Sequence, residues 1–211
     1  LEHIYWYEPT YSYFGSNTFE YSPKLLEFTF PPTAQLYSAG NFFYGCISLK
    51  KCIMPTFLQD TKNFESMFSD CIQLVEYTLP TNIFSIGSSM FRNTSIEVAL
   101  LPETVERIEA AAFRDCKRLK YVNVPRQGDI YMENNIFAGD DSLVLLVVKG
   151  NLTRKLGSDM FGGRTFCYYG LTNVESSGKV FPSFSTIYVT KEFSDLYDLF
   201  GITVKFPYAT F

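Results

Sequence analysis

Residues 108–125 read IEAAAFRDCKRLKYVNVP. A large apolar residue opens the stretch, and Phe113 follows five positions later, Cys116 three beyond, Leu119 three beyond that. Pro125 closes it after six more residues. The same order returns along the chain, with Phe19, Phe43, Phe68, Phe91, Phe113, Phe137 and Phe161 at gaps of 24, 25, 23, 22, 24 and 24 residues. Six residues past most of them stands Leu25, Leu49, Leu74, Leu119 or Leu143, and in the shorter copy Ile96 arrives one residue early. Pro31, Pro55, Pro80, Pro102 and Pro125 come six later, with Lys149 in that place in the next copy. Five residues before the Phe, several copies carry Phe14, Ile86, Ile108, Met132 or Leu156. Self-similarity at a period of two dozen residues is the signature of a stacked-repeat architecture.

Each unit has a direct physical reading. The six residues from the aliphatic onward form a strand: Leu25–Phe30, Leu49–Met54, Leu74–Leu79, Ile96–Leu101, Leu119–Val124 and Leu143–Val148. Side chains alternate across a strand, so the aliphatic and the residues three and five later point inward, as Leu119, Val122 and Val124 do. Proline ends the strand because it has no N–H for the ladder. An irregular or short helical stretch, such as Glu103 to Ala112, then leads to the next inward Phe. No unit covers its own apolar flank, so stacking buries a continuous core. That demand explains 21 Phe and 15 Tyr in 211 residues.

Cys46, Cys71 and Cys116 lie three residues after a repeat Phe, where Ser22, Thr94, Asp140 and Arg164 stand in other copies. A small polar group there tucks into the turn and meets a backbone carbonyl. Cysteine spacings of 6, 19, 45 and 51 match no zinc pattern. Buried structural thiols are the favoured reading, and adjacent rungs leave room for a Cys46–Cys71 bridge as the alternative. Five cysteines cannot all pair within the chain.

The unit I-x-x-x-x-F-x-x-C-x-x-L-x-x-x-x-x-P, clearest in Ile86–Pro102 and Ile108–Pro125, resembles the BspA-like leucine-rich-repeat family over about residues 14–165. The resemblance implies a leucine-rich-repeat solenoid, a right-handed β-α/β-3-10 superhelix rich in β, with a parallel sheet on its concave face. Residues 1–185 then form an array of about seven to eight repeats, the last degenerate and followed by an irregular loop at 170–184. Residues 186–211 resemble a C-terminal cap of strand, helix and strand. Phe193, Leu196, Tyr197, Leu199 and Phe200 lie on one helix face, Gly201 is the stop, and a strand spans Ile202–Phe206. At the other end His3–Pro9 reads as a further strand with nothing before it as a cap. The expectation is a chain cut from a longer protein, or a first rung that packs on something else. The family also implies non-catalytic protein binding or adhesion at the cell surface or outside the cell, with a host extracellular or cell-surface protein as one kind of partner. A structural spacer and a carbohydrate-binding accessory role are the alternatives.

Chemistry-bearing patterns are missing. The single histidine, His3, lies at the chain start, which leaves no setting for a His-based triad. No nucleophile elbow, phosphate loop, dinucleotide fingerprint or HExxH occurs. Neither a cofactor nor a metal is expected, and the chain is not expected to be an enzyme. Asp140-Asp141 lacks the spacing of a calcium loop and reads as a pair of solvated turn residues. A net charge of −4 without a basic block argues against nucleic acid. The longest apolar run, Leu143–Val148, is too short to insert in a bilayer, and no signal peptide is visible. Asn93-Thr94-Ser95 and Asn151-Leu152-Thr153 match glycosylation acceptors, which matter only in a secreted eukaryotic protein.

The period also predicts what faces outward. Two residues after each aliphatic come Glu27, Lys51, Glu76, Val98, Tyr121 and Leu145; four after come Thr29, Ile53, Thr78, Leu100, Asn123 and Val147. A strand face in water is mostly polar. Val98, Leu100, Tyr121, Asn123, Leu145 and Val147, with Val144 beside them, break that rule and form the candidate binding patch, with Tyr121 as its anchor. Cover by residues 170–184 or by a neighbouring domain is the competing reading.

Overall fold

The computed structural model describes residues 4, 13–58 and 63–152, and the backbone of four strands at 165–168, 186–189, 198–199 and 202–203. The chain forms a parallel β-solenoid of about five turns. Three hydrogen-bonded ladders run along it.

The main ladder holds the strands that the period predicts. They are β2 (Glu27–Thr29), β4 (Lys51–Ile53), β5 (Glu76–Tyr77), β7 (Val98–Leu100), β9 (Tyr121–Val124) and β11 (Leu145–Val148). They continue into β13 (Thr165–Tyr168) and β14 (Thr186–Val189). Every pairing in this ladder is parallel, and from β2 to β11 the pairings keep the expected register, for example Val98↔Tyr121↔Leu145. The inward positions are buried as expected: Leu119, Val122 and Val124 are fully enclosed. The ladder is interrupted once, between β5 and β7.

A second ladder replaces the expected irregular or helical return. It comprises β1 (Tyr13–Phe14) and β3 (Gln35–Leu36) in one sheet, and β6 (Ser85–Ile86), β8 (Arg107–Ile108), β10 (Asp129–Met132) and β12 (Asn151–Leu152) in another. Ile86, Ile108 and Met132, the apolar residues five before each Phe, pair across it and are buried. Leu36 fills that site in its rung, seven residues before Phe43 instead of five.

The third ladder is built on the Phe turns. From Phe19 to Phe113, the N–H groups two before, at, and two after each repeat Phe donate to carbonyls of the next turn: Ala111 to Asn134, Phe113 to Ile136, Asp115 to Ala138. The alternate N–H groups close local turns, as Arg114 does on Ala111 and Cys116 on Phe113. This alternation needs left-handed backbone two residues before and two after every Phe. Asn17, Asn41, Ser66, Ser89, Ala111 and Asn135 supply the first position. Tyr21, Gly45, Asp70, Asn93, Asp115 and Gly139 supply the second. Glycine, Asn and Asp tolerate that conformation best. Tyr21 and Ala111 adopt it at a cost, held by their bonds to the next turn. Between the ladders the repeat rings stack from Phe19 to Phe137, with centroids 5.4–5.8 Å apart and planes within 19° of parallel.

Three expectations change. No helix occurs among the described residues, and Leu199, placed on a cap helix by its sequence, lies in β15 (Asp198–Leu199), paired antiparallel to β16 (Ile202–Thr203). Thr165 of β13 pairs with Leu145 of β11. The rung after Phe137 is therefore only 20 residues long at the strand, and Cys167 takes the register position of Val147 instead of the aliphatic place. Asp140 is buried, 1% exposed, while Asp141 is exposed. The proposed loop at 170–184, the helix positions Phe193, Leu196, Tyr197 and Phe200, and the strand at residues 3–9 lie outside the described residues, apart from Ile4, which packs against the core.

Candidate functional site

The main ladder brings the six candidate residues into two rows. Val98, Tyr121 and Leu145 are aligned in one, Leu100, Asn123 and Val147 in the other. Val98 and Leu100 are 46% and 59% exposed, and Val144 beside them is 52% exposed. Tyr121, Asn123, Leu145 and Val147 are half-buried, flanked on both sides by neighbouring rungs. Beyond β11 the rows continue to the backbone positions of Thr165 and Cys167, then Thr186 and Tyr188.

Charge borders the patch. Glu97, one residue before Val98, is held by both Arg118 and Lys120, the latter at 2.7 Å. Those two cations hold the Glu97 carboxyl below its usual range. On the other half of the face Lys51 meets Glu76 at 2.9 Å. Tyr77, pointing inward from β5, packs its ring 4.8 Å from Phe91 and donates its hydroxyl to the Val98 carbonyl at 3.1 Å.

The cysteine slot is structural. Cys46, Cys71 and Cys116 donate their thiols to the carbonyls of Phe19, Phe43 and Phe91 at 3.0, 3.1 and 2.9 Å. Each bond reaches the Phe turn of an earlier rung, so the thiol clips neighbouring coils together. All three are free, and the Cys46–Cys71 bridge does not form. Burial pushes the Cys46 thiol up to about 11 and Cys116 up to about 12, which suppresses the nucleophilic thiolate. In the next rung Asp140 occupies this slot. Its Oδ1 accepts the Cys116 N–H at 2.7 Å, and its Oδ2 is buried without a hydrogen-bond partner. Burial raises its pKa to about 8, so the carboxyl is mostly neutral at pH 7. Among the described residues no cluster of His, Cys, Asp or Glu is arranged to hold a metal ion. No helix among them is long and apolar enough to cross a membrane. Asn93 of the first glycosylation triplet is half-buried, and its amide donates to Asp70 at 2.8 Å.

One concavity escapes the strand pattern. On the second ladder Phe84, Glu106, Arg107, Glu109, Asp129 and Tyr131 line a shallow hollow of about 380 Å³. Its charges are largely engaged: Glu106 pairs with Arg126 at 3.0 Å, and Arg107 lies over the Tyr131 ring at 4.4 Å. These residues come from three rungs and from the stretch that the period leaves unassigned. Four of the seven residues from Glu103 to Glu109 are charged, which is the trace this hollow leaves in the sequence.

The family model for the BspA type leucine rich repeat region, in six copies, matches residues 1–120 and 40–167. Three solved structures share the fold. A leucine-rich repeat protein from Bacteroides ovatus has TM-score 0.61 and 21% identity, covering 84% of this chain and 48% of its own. A leucine rich repeat protein of T. pallidum has TM-score 0.54 and 22% identity, covering 72% and 69%. The pneumococcal vaccine antigen PcpA has TM-score 0.52 and 20% identity, covering 81% and 38%. The chain thus spans about half the length of the first of these proteins and less of the third. No curated protein matches it significantly.

Proposed function

Given that the chain belongs to the BspA-type leucine-rich repeat family, we propose that it is a non-catalytic module that captures a protein partner on the apolar half of its main sheet, as part of a secreted or surface-displayed protein. The family is generally non-catalytic and typical of bacterial surface proteins, and its repeats typically bind proteins. One observation carries the reading. Three consecutive strands, β7, β9 and β11, present Val98, Tyr121 and Leu145 in one outward row and Leu100 and Val147 on either side of Asn123 in the other, on a face that water alone would make polar. Val98 and Leu100 offer aliphatic surface at the edge of the patch, and Tyr121 offers a ring with a polar tip at its centre.

A carbohydrate role has less support, because sugar binding favours a row of aromatic platforms. From β2 to β11, Tyr121 is the one aromatic at the outward positions of this face.

The test compares the chain with its Tyr121→Ser/Leu145→Ser variant. Both are used to capture proteins from extracellular extracts, and both are melted by circular dichroism. A partner retained by the parent chain and lost by a variant that melts normally supports the reading. Equal capture by the two sinks it. A variant that unfolds assigns these residues to the fold instead.

A further inference from the structure

We infer that the main sheet contains a built-in joint between β5 and β7, latched by the Tyr77 hydroxyl, at which the two halves of that face open and close while the Phe turns keep the rungs connected. The main ladder runs β2-β4-β5, stops, and resumes from β7 onward. Alternate residues of a parallel strand direct their N–H and C=O groups to opposite neighbours. The Leu101 N–H bonds to Asn123 across β9, so Val98 and Leu100 face β5. There the Val98 carbonyl accepts a phenol, not a backbone amide. A second side-chain clasp, the Ser95 hydroxyl on the Ile72 carbonyl at 2.7 Å, lies at the entry to the same seam.

The cause is visible in the inward positions. Tyr77 places the largest side chain of its row directly before Ala99, the smallest, where other rungs carry Phe28, Cys52, Val122 and Leu146. The tyrosine ring lies against Phe91, and its hydroxyl reaches the Val98 carbonyl in the seam. The remaining sides are closed. Ser66, Phe68 and Asp70 donate to Ser88, Met90 and Arg92 at 2.8–2.9 Å, and β6 pairs with β8. Thr104 bonds the Thr81 carbonyl at the corner. A stack joined on two sides and clasped only by side chains on the third opens on that third side.

Amide hydrogen exchange and nitrogen relaxation dispersion on the whole chain test the joint. Val98 and Leu100 should exchange at least tenfold faster than Asn123 and Val147, which hold the same row positions on paired strands. Tyr77, Val98 and Leu100 should also show microsecond-to-millisecond dispersion absent from Asn123 and Val147. Tyr77→Phe, which keeps the ring and removes the latch, should speed Val98 and Leu100 several-fold further and leave Phe68 and Asp70 unchanged. Equal protection on both sides of the seam overturns the proposal. So do flat dispersion profiles, because a gap that stays put exchanges without moving. A Tyr77→Phe variant that speeds all these amides alike also overturns it. If that variant does not fold, the parent chain alone decides.

Discussion

Strands β2, β4 and β5 carry Glu27, Lys51 and Glu76 on their outer row, whereas β7, β9 and β11 carry Val98, Tyr121 and Leu145. Behind both halves the wall has the same character: Leu25, Phe28 and Phe30 in one coil, Leu119, Val122 and Val124 in another, all buried. Inward residues answer to their neighbours on adjacent rungs and so are held to apolar types of matched volume. Outward residues answer to solvent or to a partner, and the two halves have answered differently. The difference falls where the ladder is interrupted, so the change in surface chemistry coincides with a change in backbone connection.

The comparison breaks most sharply at the ring stack. Phe43→Ala and Phe113→Ala remove equivalent, fully buried rings from the two halves. Each should destabilise the chain by about 3–5 kcal/mol in denaturant melts. A much smaller loss in one half would mean that the walls are not equivalent. A few kcal/mol should follow from pH, and through the apolar half alone. Asp140 titrates near 3.8 when unfolded and at about 8 when folded. Its folded pKa is raised, so the stability it contributes is complete below about pH 4 and is lost as pH rises through about 8. Melting temperature should therefore fall between pH 5 and pH 9. Asp140→Asn keeps an oxygen for the Cys116 N–H and should flatten that dependence; an unchanged slope would place its origin elsewhere. Cys116→Ala deletes the thiol bond to Phe91 and leaves a small void, for a loss of roughly 1–2 kcal/mol by the same melts. The smallest effect belongs to the charged half. Lys51→Ala should leave the melting midpoint where it is, because that ion pair stands in water. A clear drop would show that the outer row also supports the fold.

The period of the Phe residues places the main ladder from β2 to β11, its register and its buried residues. A Phe, an aliphatic and a Pro are hard constraints of packing and hydrogen bonding, and they recur. The two outward rows followed from alternation alone. The second ladder was hidden because its strands are mostly two residues long and one apolar group marks each rung, too short for periodicity to register. The Phe-turn ladder did leave a trace: Asn, Asp, Gly or Ser stands at ten of the twelve left-handed positions, Tyr21 and Ala111 being the others. Asp140 carries two opposed readings in the sequence: as half of an acidic pair it reads as solvated, whereas its alignment with Cys116 discloses a buried slot that favours the neutral form. The cap helix rested on an apolar spacing that β15 and β16 show to be compatible with a hairpin at Leu199 and Ile202.

The contacts that occur only once have a consequence for how such a chain finds its shape. Coils of one design have near-translational symmetry, so a segment can add one step out of place and still satisfy most of its bonds. Tyr77 on the Val98 carbonyl, Asn93 on Asp70 and Asp140 beneath Cys116 each occur at a single pair of coils among the described residues. A slipped coil would bring a bulky ring against Val122, or set a carboxyl under Thr94. These mismatches act as address labels, widening the energy gap between the correct stacking order and its shifted competitors.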